Sequence, residues 1–523
     1  MIPRIFPTCS ILVCVAMLLL PLPILSQGEA PDDEVTQESL RFTQIYGTVE
    51  KNLADPVDTD RAIFDGAIRH MLSTLDPFSA FFDRDQFEML QQQARGEALG
   101  FGSILYVTEG KVVVLQTAEG SPSWRAGLGP GDELVSIDGQ RLDRLDFRSL
   151  VQLLQRSRSH PVRLGVVPPG RVVPRDVDLR PAEVALPTVD RAFSFPEDIA
   201  YIHLTAFEEK TAQELKDALS HLGGSKIKGL LLDLRGNHGG MVDSAVAVAS
   251  LFLKPNLLVL TTRGRSAPDR EYRSSSLPAH FDFPLVVLVN GDTASAAEVL
   301  AAALQEHDRA VIAGEPTFGK GVVQSVMGLS EHTGLALTVA QYFTPSGRSI
   351  QRPLAGTALA LDSAGRDPSP NLTFHTDNGR PVTAGGGITP DVPMRPPTRD
   401  PWIAFLNERG VITNFASTYL TLHGKVDRSF EPDEKVMTGF RDFLERGQIR
   451  VPDEYWKQDQ DYLKLRIKTE IFNLAFGLTA GDEVEVRGDP QVRDALKLFA
   501  RVAQLLAPSS QRPANIHVKR IAM

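Results

Sequence analysis

The chain has 523 residues, of which 42% are apolar and 23% are charged. Both fractions are ordinary for soluble globular proteins, and the length predicts several domains instead of one. The formal net charge of −10 and the lack of a basic stretch argue against a nucleic-acid-binding protein, because such proteins concentrate positive charge against phosphates. We therefore expect no nucleic-acid partner.

The N-terminus has the pattern of a secretory signal peptide. Arg4 is the one charged residue before an apolar run at residues 11–25, and small residues follow that run. A basic start, a short apolar segment and a small-residue exit predict a signal peptide at residues 1–27 and a protein exported to the periplasm or cell envelope. Retention of the segment as a membrane anchor is the less favoured alternative, because two prolines interrupt it.

Both cysteines, Cys9 and Cys14, lie within this segment, so the mature protein would have none. An exported enzyme without cysteine has no disulfide, no cysteine-ligated zinc and no thiol nucleophile, and must use serine, threonine, a carboxylate or a metal. The histidines are scattered and show no H-E-x-x-H pair. We therefore expect no metal, and we expect no cofactor.

Helical spacing of apolar residues predicts an N-terminal helical segment at residues 38–95, which packs or dimerises. Residues 96–182 change to short β-type runs punctuated by glycine and proline. Within them, four short motifs occur in the order typical of a PDZ domain, which this stretch resembles: Ser121-Pro122, Ala126-Gly127-Leu128, Gly131-Asp132 and Ile137-Asp138-Gly139.

PDZ domains bind the C-terminus of a peptide by adding it as a strand, and a nest of backbone N–H groups holds the carboxylate. The resemblance places that loop at Gly100, Phe101, Gly102 and Ser103, with Phe101 in the hydrophobic position. The alternative is that these glycines form only a turn, but we favour peptide binding. The expected partners are proteins or peptides with accessible C-termini.

Residues 184–395 alternate β-type runs with amphipathic helical runs, which predicts an α/β sheet. The polar residues 354–386 predict a surface insertion. Helical patterns return in residues 400–510 and predict a C-terminal helical domain, for assembly or for fencing the active site. We expect the helical terminal segments to support a homo-oligomer. The fold class is therefore multidomain α/β.

Ser295 follows an apolar strand and a polar turn, and it opens an apolar helix that runs to about His307. Backbone N–H groups are unpaired at a helix N-terminus, so a serine there is a candidate nucleophile. A serine nucleophile also needs a general base, and a lysine serves if burial lowers its pKa toward neutrality. Lys320 lies in a glycine-containing loop after the next strand. Gln324 would share one face of an extended segment with Lys320 and could orient the amine.

These residues also have simpler interpretations. Ser295 and Glu298 form an S-x-x-E pattern, so the serine could serve only to cap its helix. A lone lysine such as Lys320 is most often solvated at the surface. His238, in a Gly-rich turn, could act as the base in a Ser–His arrangement, but a solvated turn histidine is the favoured interpretation.

Three motifs taken together resemble the C-terminal processing proteases, also called tail-specific proteases, of serine peptidase family S41. They are Thr293-Ala294-Ser295-Ala296-Ala297-Glu298, Phe318-Gly319-Lys320-Gly321 followed by Gln324, and the DLRGNHGG turn that begins at Asp233. The resemblance implies a crotonase/ClpP-like α/β protease core with an inserted-type PDZ domain. It makes Ser295 the nucleophile, Lys320 the general base and Gln324 the residue that orients the lysine.

The resemblance also assigns the oxyanion hole, which would use the backbone N–H groups of Ala296 and of Gly239 or Gly240. In the same turn, Asp233 and Arg235 are expected to pair and to have a structural role.

The chain departs from the family pattern at His238, where proline is usual, and at Ala297, where a second serine is common. Neither departure removes a catalytic group. We expect an exported serine endopeptidase that forms an acyl-enzyme and cleaves proteins recognised through their C-terminal tails. The alternatives are a catalytically inactive PDZ-bearing peptide-binding scaffold and another Ser–Lys acyl hydrolase, such as an amidase or esterase.

Overall fold

The structure, a computed structural model, describes residues 33–94, 97–108, 111–265, 269–353, 373–397 and 400–508. The predicted signal peptide at residues 1–27 lies outside these ranges, as does most of the predicted polar insertion at residues 354–386. No helix in the described ranges is both long enough and apolar enough to cross a membrane.

The N-terminal segment is mainly helical, but one short strand in it joins a sheet of the distant central region. In chain order it contains α1 (Asp33–Asn52), a π-helical stretch (Asp60–Ile68) that continues as α2 (Arg69–Leu75), β1 (Ala80–Phe82) and α3 (Arg84–Ala94). Strand β1 pairs antiparallel with a strand 256 residues further on, where Ala80 lies opposite Ala336. Helical spacing did not indicate this strand, because three residues are too few to show a periodic pattern.

Residues 97–185 form a small β-structure with two helices. Its elements are β2 (Glu97–Gly100), β3 (Ser103–Thr108), β4 (Lys111–Thr117), α4 (Pro122–Arg125), β5 (Glu133–Ile137), β6 (Gln140–Arg141), α5 (Phe147–Ser157), β7 (Val162–Val167), β8 (Arg175–Leu179) and β9 (Ala182–Ala185). Strands β3, β4, β5, β7 and β8 pair in this order, with β6 beside β5 and with β2 paired to β9. Helix α5 starts after Asp146, whose carboxylate accepts the Ser149 N–H at 2.8 Å, and it buries Leu150 in the core of the sheet.

The central region, residues 189–393, carries two larger sheets and one sheet of two strands. Its elements are β10 (Val189–Phe195), β11 (Ile199–Leu204), α6 (Thr211–His221), β12 (Gly229–Asp233), α7 (Val242–Ser250), β13 (Leu258–Arg263), β14 (Arg270–Arg273), β15 (Leu285–Val289), α8 (Ala296–Glu306), β16 (Val311–Gly314), β17 (Val322–Gly328), β18 (Gly334–Phe343), β19 (Phe374–His375), β20 (Pro381–Val382) and β21 (Val392–Pro393). The first sheet has the order β10-β11-β12-β15-β16-β21 and is parallel except between β10 and β11. The second has the order β1-β18-β13-β14, with β17 beside β18, and is antiparallel. Strands β19 and β20 form the two-stranded sheet.

The first sheet is buried on both faces. Every residue of β15 (Leu285–Val289) is fully buried, which explains why this strand is a continuous apolar run instead of an alternating one. Helices α6, α7 and α8 cover one face, and their apolar side chains share one core with the strands. The carboxyl ends of the parallel strands β12 and β15 lead directly into the two turns that build the candidate site.

Helices form the described C-terminal region, as the sequence predicted. They are α9 (Pro401–Glu408), α10 (Val411–His423), α11 (Glu434–Arg446), α12 (Asp453–Phe476), α13 (Leu478–Gly488), α14 (Pro490–Leu496) and α15 (Val502–Leu506). The first four pack on the PDZ-like sheet, where Tyr106 shares a core with Leu463. The last three cover the second face of the first central sheet, where Val492 shares a core with Leu231. This region therefore contacts both the PDZ-like sheet and the first central sheet.

Candidate active site

Ser295 begins helix α8 in a strained backbone conformation. Its φ of 57° and ψ of −120° lie outside the regions that residues with a side chain normally adopt, and strain of this kind clusters at functional sites. The side chain is fully buried, and its hydroxyl has no hydrogen-bond partner among the described residues. Ser295 nevertheless occupies the N-cap position of α8, and the residues of the capping box with Glu298 are in place, so the capping interpretation stands beside the catalytic one.

The Glu298 carboxylate joins the serine to the lysine loop. One oxygen, Oε2, accepts the backbone N–H groups of Ser295 and Lys320, each at 2.9 Å. The other oxygen, Oε1, accepts the Gly319 N–H at 2.8 Å and the Thr317 hydroxyl at 2.5 Å. Burial raises the pKa of Glu298, and these hydrogen bonds act in the opposite direction because they favour the charged form. The carboxylate thus fixes the two candidate catalytic segments relative to each other.

Sequence reasoning considered Glu298 only as one half of a capping box and missed this role. The local half is present, because the carboxylate accepts the Ser295 N–H. The other partners lie 19 to 22 residues further along the chain, beyond the reach of any periodic pattern. The sequence carried no separate signal of this role, because the full burial of Glu298 and the donors that a buried carboxylate requires are visible only in the structure.

Lys320 is buried and is held by Gln324. The lysine Nζ donates to the Gln324 Oε1 at 2.7 Å, so the contact predicted from the four-residue spacing is present. The spacing argument assumed one extended segment, whereas β17 begins only at Val322 and shifts its register between Val323 and Gln324. Irregularities of this kind re-aim side chains, and Gln324 lies directly at this shift.

The turn after β12 is braced by an ion pair. The Arg235 Nη2 lies 2.6 Å from Asp233 Oδ2, which confirms the predicted pairing, and the Tyr201 hydroxyl donates to the same oxygen at 2.8 Å. Burial alone would raise the pKa of Asp233, but the Arg235 guanidinium outweighs burial and lowers the pKa to about 2. Arg235 also contacts the C-terminal helices, because its Nη1 donates to Gln491 Oε1 at 2.8 Å.

Gly239 brings this turn against the serine. Its φ is +101°, and a Cβ at this position would lie 2.8 Å from the Ser295 Cβ and 3.0 Å from the Ala296 nitrogen. A side chain therefore fits neither the backbone conformation nor the space. The Gly239 N–H is occupied, since it donates to Asn237 Oδ1 at 2.8 Å. The sequence also named the backbone N–H groups of Gly240 and Ala296 as oxyanion donors. These two groups have no hydrogen-bond partner among the described residues.

Two further side chains lie near the serine. Tyr342 is fully buried, and its hydroxyl, like that of Ser295, has no hydrogen-bond partner in the described part of the chain. Burial raises the pKa of the Tyr342 phenol, which the neighbouring Ser295 hydroxyl partly opposes. His238 is partly exposed in the turn and makes no hydrogen bond to the Ser295 hydroxyl. The structure therefore gives no support to a Ser–His pair.

The predicted peptide-binding loop lies at the start of the PDZ-like sheet. Gly102 has φ of +75°, and a Cβ there would lie 2.3 Å from the Ser121 Cβ, so this position requires glycine. The Phe101 carbonyl accepts the Ser123 N–H at 2.9 Å, and the Ser103 hydroxyl donates to the Ser123 hydroxyl at 2.6 Å. The loop is thus anchored by residues of its own sheet, and Phe101 packs against the core of that sheet.

The structure brings most of the predicted site residues together and leaves one group apart. Ser295 and Lys320 are joined through Glu298, Gln324 contacts Lys320, and Gly239 contacts Ser295. The loop from Gly100 to Ser103 belongs to the separate PDZ-like sheet. The described residues include no cluster of histidine and carboxylate side chains suited to a metal ion.

Comparison with protein families finds two matches in the chain. A model of peptidase family S41 matches residues 198–358, and a model of the PDZ domain matches residues 113–168. The first match contains Gly239, Ser295 and Lys320, and it also contains Gln324. The second contains β5, β6 and β7 and most of β4 in the PDZ-like sheet.

Individual proteins with similar sequences have related names. A carboxy-terminal-processing protease of Bartonella bacilliformis is 31% identical over 371 residues, which are 70% of this chain and 83% of that protein. A carboxyl-terminal-processing protease of Synechocystis sp. is 35% identical over 292 residues, which are 55% of this chain and 68% of that protein. Among solved structures, a photosystem II D1 C-terminal processing protease is 28% identical with a TM-score of 0.36, over 68% of this chain and 86% of its own.

Proposed function

Because the chain belongs to peptidase family S41 and is a serine-type peptidase with a PDZ domain, we propose that it is an exported endopeptidase with a Ser295–Lys320 dyad. The observation that carries this proposal is a buried lysine held by Gln324 at 2.7 Å in a loop that Glu298 joins to the backbone of the serine. That arrangement supplies the base and the nucleophile that an acyl transfer needs.

In the proposed reaction, Ser295 Oγ attacks the carbonyl carbon of a peptide bond while the neutral Lys320 amine takes the hydroxyl proton. Negative charge develops on the carbonyl oxygen, and the N–H groups of Gly240 and Ala296 are the donors that stabilise it. The C–N bond then breaks, and the lysine returns its proton to the leaving amine. A water molecule, deprotonated by the same lysine, hydrolyses the acyl-enzyme and restores Ser295.

Burial is the physical reason for choosing lysine as the base. The Lys320 side chain is almost fully buried, and desolvation disfavours its ammonium form. Gln324 Oε1 accepts one N–H of the amine, which leaves the nitrogen lone pair for another partner. Within the described ranges, the Ser295 hydroxyl has no hydrogen-bond partner. Catalytic hydrogen bonds are often long without substrate and tighten when it binds, so we assign the Ser–Lys contact to the substrate complex.

We also propose that the PDZ loop selects substrates by their C-terminal carboxylate. In a pair of peptides with the same cleavage site, replacing the free carboxylate by a carboxamide should lower kcat/KM by about 10–100-fold, because a charge-assisted hydrogen bond contributes about 1.5–3 kcal/mol. Steady-state hydrolysis of both peptides measures this ratio. Phe101→Ala should reduce the discrimination, while Val172→Ala, at an exposed position between β7 and β8, should preserve it. Equal hydrolysis of both peptides would exclude recognition of the tail and leave the dyad untouched.

Export and self-assembly complete the proposal. Export rests on the apolar segment at residues 1–27, and a full-length precursor found in the cytoplasmic fraction would contradict it.

Assembly rests on helix α1, whose apolar side chains Leu40, Ile45 and Val49 are exposed. Isolated helices gain little stability from helix propensity alone, and exposed apolar surface of this kind marks an interaction site. We propose that a second copy of the chain packs against it. A monomeric mass in sedimentation equilibrium would contradict the dimer.

A further inference from the structure

The N-terminal segment reaches the candidate base through one turn. The Phe78 backbone carbonyl accepts a hydrogen bond from the Gln324 Nε2, across 246 residues of sequence. The Phe78 ring lies beside the base itself, with its centroid 4.8 Å from the Lys320 Nζ. One residue outside the family-matched range therefore contacts both the lysine and the amide that holds it.

The turn that presents Phe78 is held by several hydrogen bonds to one carboxylate. Asp76 is buried, and its carboxylate accepts the Phe78 N–H at 2.7 Å and the Ser79 N–H at 2.8 Å. The same carboxylate accepts the Thr338 hydroxyl of β18 at 3.1 Å. Strand β1, which follows the turn, pairs with β18, and β18 pairs with the strand that carries Gln324. Phe78 and Gln324 thus belong to one hydrogen-bonded frame.

The Phe78 carbonyl determines which end of the Gln324 amide faces the lysine. A carbonyl accepts hydrogen bonds and cannot donate them, so the amide must present its NH₂ group to Phe78. Its Oε1 is then directed at Lys320, where it accepts from the amine at 2.7 Å. A flipped amide would place its Oε1 against the Phe78 carbonyl oxygen, where neither oxygen has a hydrogen to donate. The turn therefore fixes the orientation of the lysine amine.

The Phe78 ring also replaces water beside the amine. Its π face attracts an ammonium, which favours the charged form, but removing water from a fully buried lysine disfavours that form more strongly. A general base needs the neutral amine, which is the form that exclusion of water favours. This inference rests on the proposed role of Lys320.

We propose that the Asp76–Ser79 turn is a positioning element of the catalytic base, in which the Phe78 carbonyl orients Gln324 and the Phe78 ring shields Lys320. The N-terminal helical segment thereby becomes part of the active site.

The test is the pH dependence of peptide hydrolysis by the full-length chain and its Phe78→Leu variant. Leucine keeps the backbone carbonyl but opens space for water beside the amine, so the pKa of the base should rise. Deprotonation then needs a higher pH, and the acidic limb of the kcat/KM profile should move up by about one pH unit, a tenfold loss at neutral pH that recovers in alkaline solution. Phe78→Tyr retains the ring and should keep the original profile.

The matched control is Phe87→Leu. Phe87 is a buried aromatic residue of the same segment, and it packs against Gly334 of β18 instead of Lys320. Its replacement should lower the melting temperature without moving the acidic limb. The other charged or titratable side chains on elements packed against Lys320 are unchanged in every variant: Asp76 in the turn, Glu298 in α8, Tyr342 in β18 and Arg352 after it.

Two outcomes would overturn the proposal. One is a loss of activity in Phe78→Leu that is equal at every pH. That result would show that Phe78 has a structural role only and does not affect the pKa of the base. The other is an equal displacement of the limb in Phe87→Leu. If Phe78→Leu does not fold, Phe78→Met offers the same comparison. Failure of the dyad itself would be seen separately, as hydrolysis that persists in a variant without Lys320.

Discussion

Replacing Ser295 by alanine is expected to abolish peptide hydrolysis, with kcat falling by about 10⁴–10⁶-fold. The change removes the attacking oxygen and leaves the candidate oxyanion donors in place, so a small residual rate is expected. The fold should persist, because the Ser295 hydroxyl has no hydrogen-bond partner among the described residues. Steady-state kinetics and thermal unfolding of the same preparation measure both effects.

A fluorophosphonate probe gives an independent measurement of the same site. The wild-type chain should be labelled once, and labelling should disappear in Ser295→Ala. Ser220→Ala is the control, because Ser220 lies on the exposed side of α6 and its hydroxyl bonds only to its own helix. Labelling that survives in Ser295→Ala would place the nucleophile elsewhere. An unlabelled wild-type chain would favour the inactive PDZ-bearing scaffold instead.

Replacing Lys320 by methionine is the change with the second largest expected effect. Methionine preserves the unbranched apolar stem but has no basic nitrogen, so kcat should fall by about 10²–10⁴-fold while KM changes little. The buried Oε1 of Gln324 loses its donor, which should lower the free energy of unfolding by about 1–3 kcal/mol. Hydrolysis rates and chemical denaturation measure the two consequences.

The double variant sharpens this prediction. If Ser295 and Lys320 act as one unit, the variant lacking both should be no slower than Ser295→Ala alone. Lys228→Met serves as the surface control, because Lys228 forms an exposed ion pair with Asp198. A Lys320→Met variant that remains active until His238 is also replaced would assign the base to histidine and refute the dyad.

The features of the site that are local in sequence were predictable. The apolar run of β15, the polar turn and the helix after Ser295 follow from composition and spacing, and the structure places α8 at Ala296–Glu306, close to the expected limits. Asp233 and Arg235 were close enough in sequence for their pairing to be inferred. The strain at Ser295 was not predictable, because a positive φ in a residue other than glycine depends on its surroundings instead of its own preference.

Contacts between distant segments were beyond the reach of pattern analysis. The S-x-x-E motif is the same whether the serine caps the helix or the carboxylate binds a loop, so the second role of Glu298 had no separate signature. Nothing in the composition of the turn at Asp76 indicated that Phe78 would contact Gln324. The choice of Gly240 over Gly239 as the free donor required the position of the Asn237 amide.

The C-terminal helices have a consequence for how the molecule can be divided. The S41 match ends at residue 358, yet one entire face of the first central sheet is covered by α13, α14 and α15. A chain cut after residue 397 would expose Leu231, Val286 and Leu288 to water. The first central sheet would then be covered by helices on one face only. The central region therefore depends on helices within residues 478–506 to cover the second face of its first sheet.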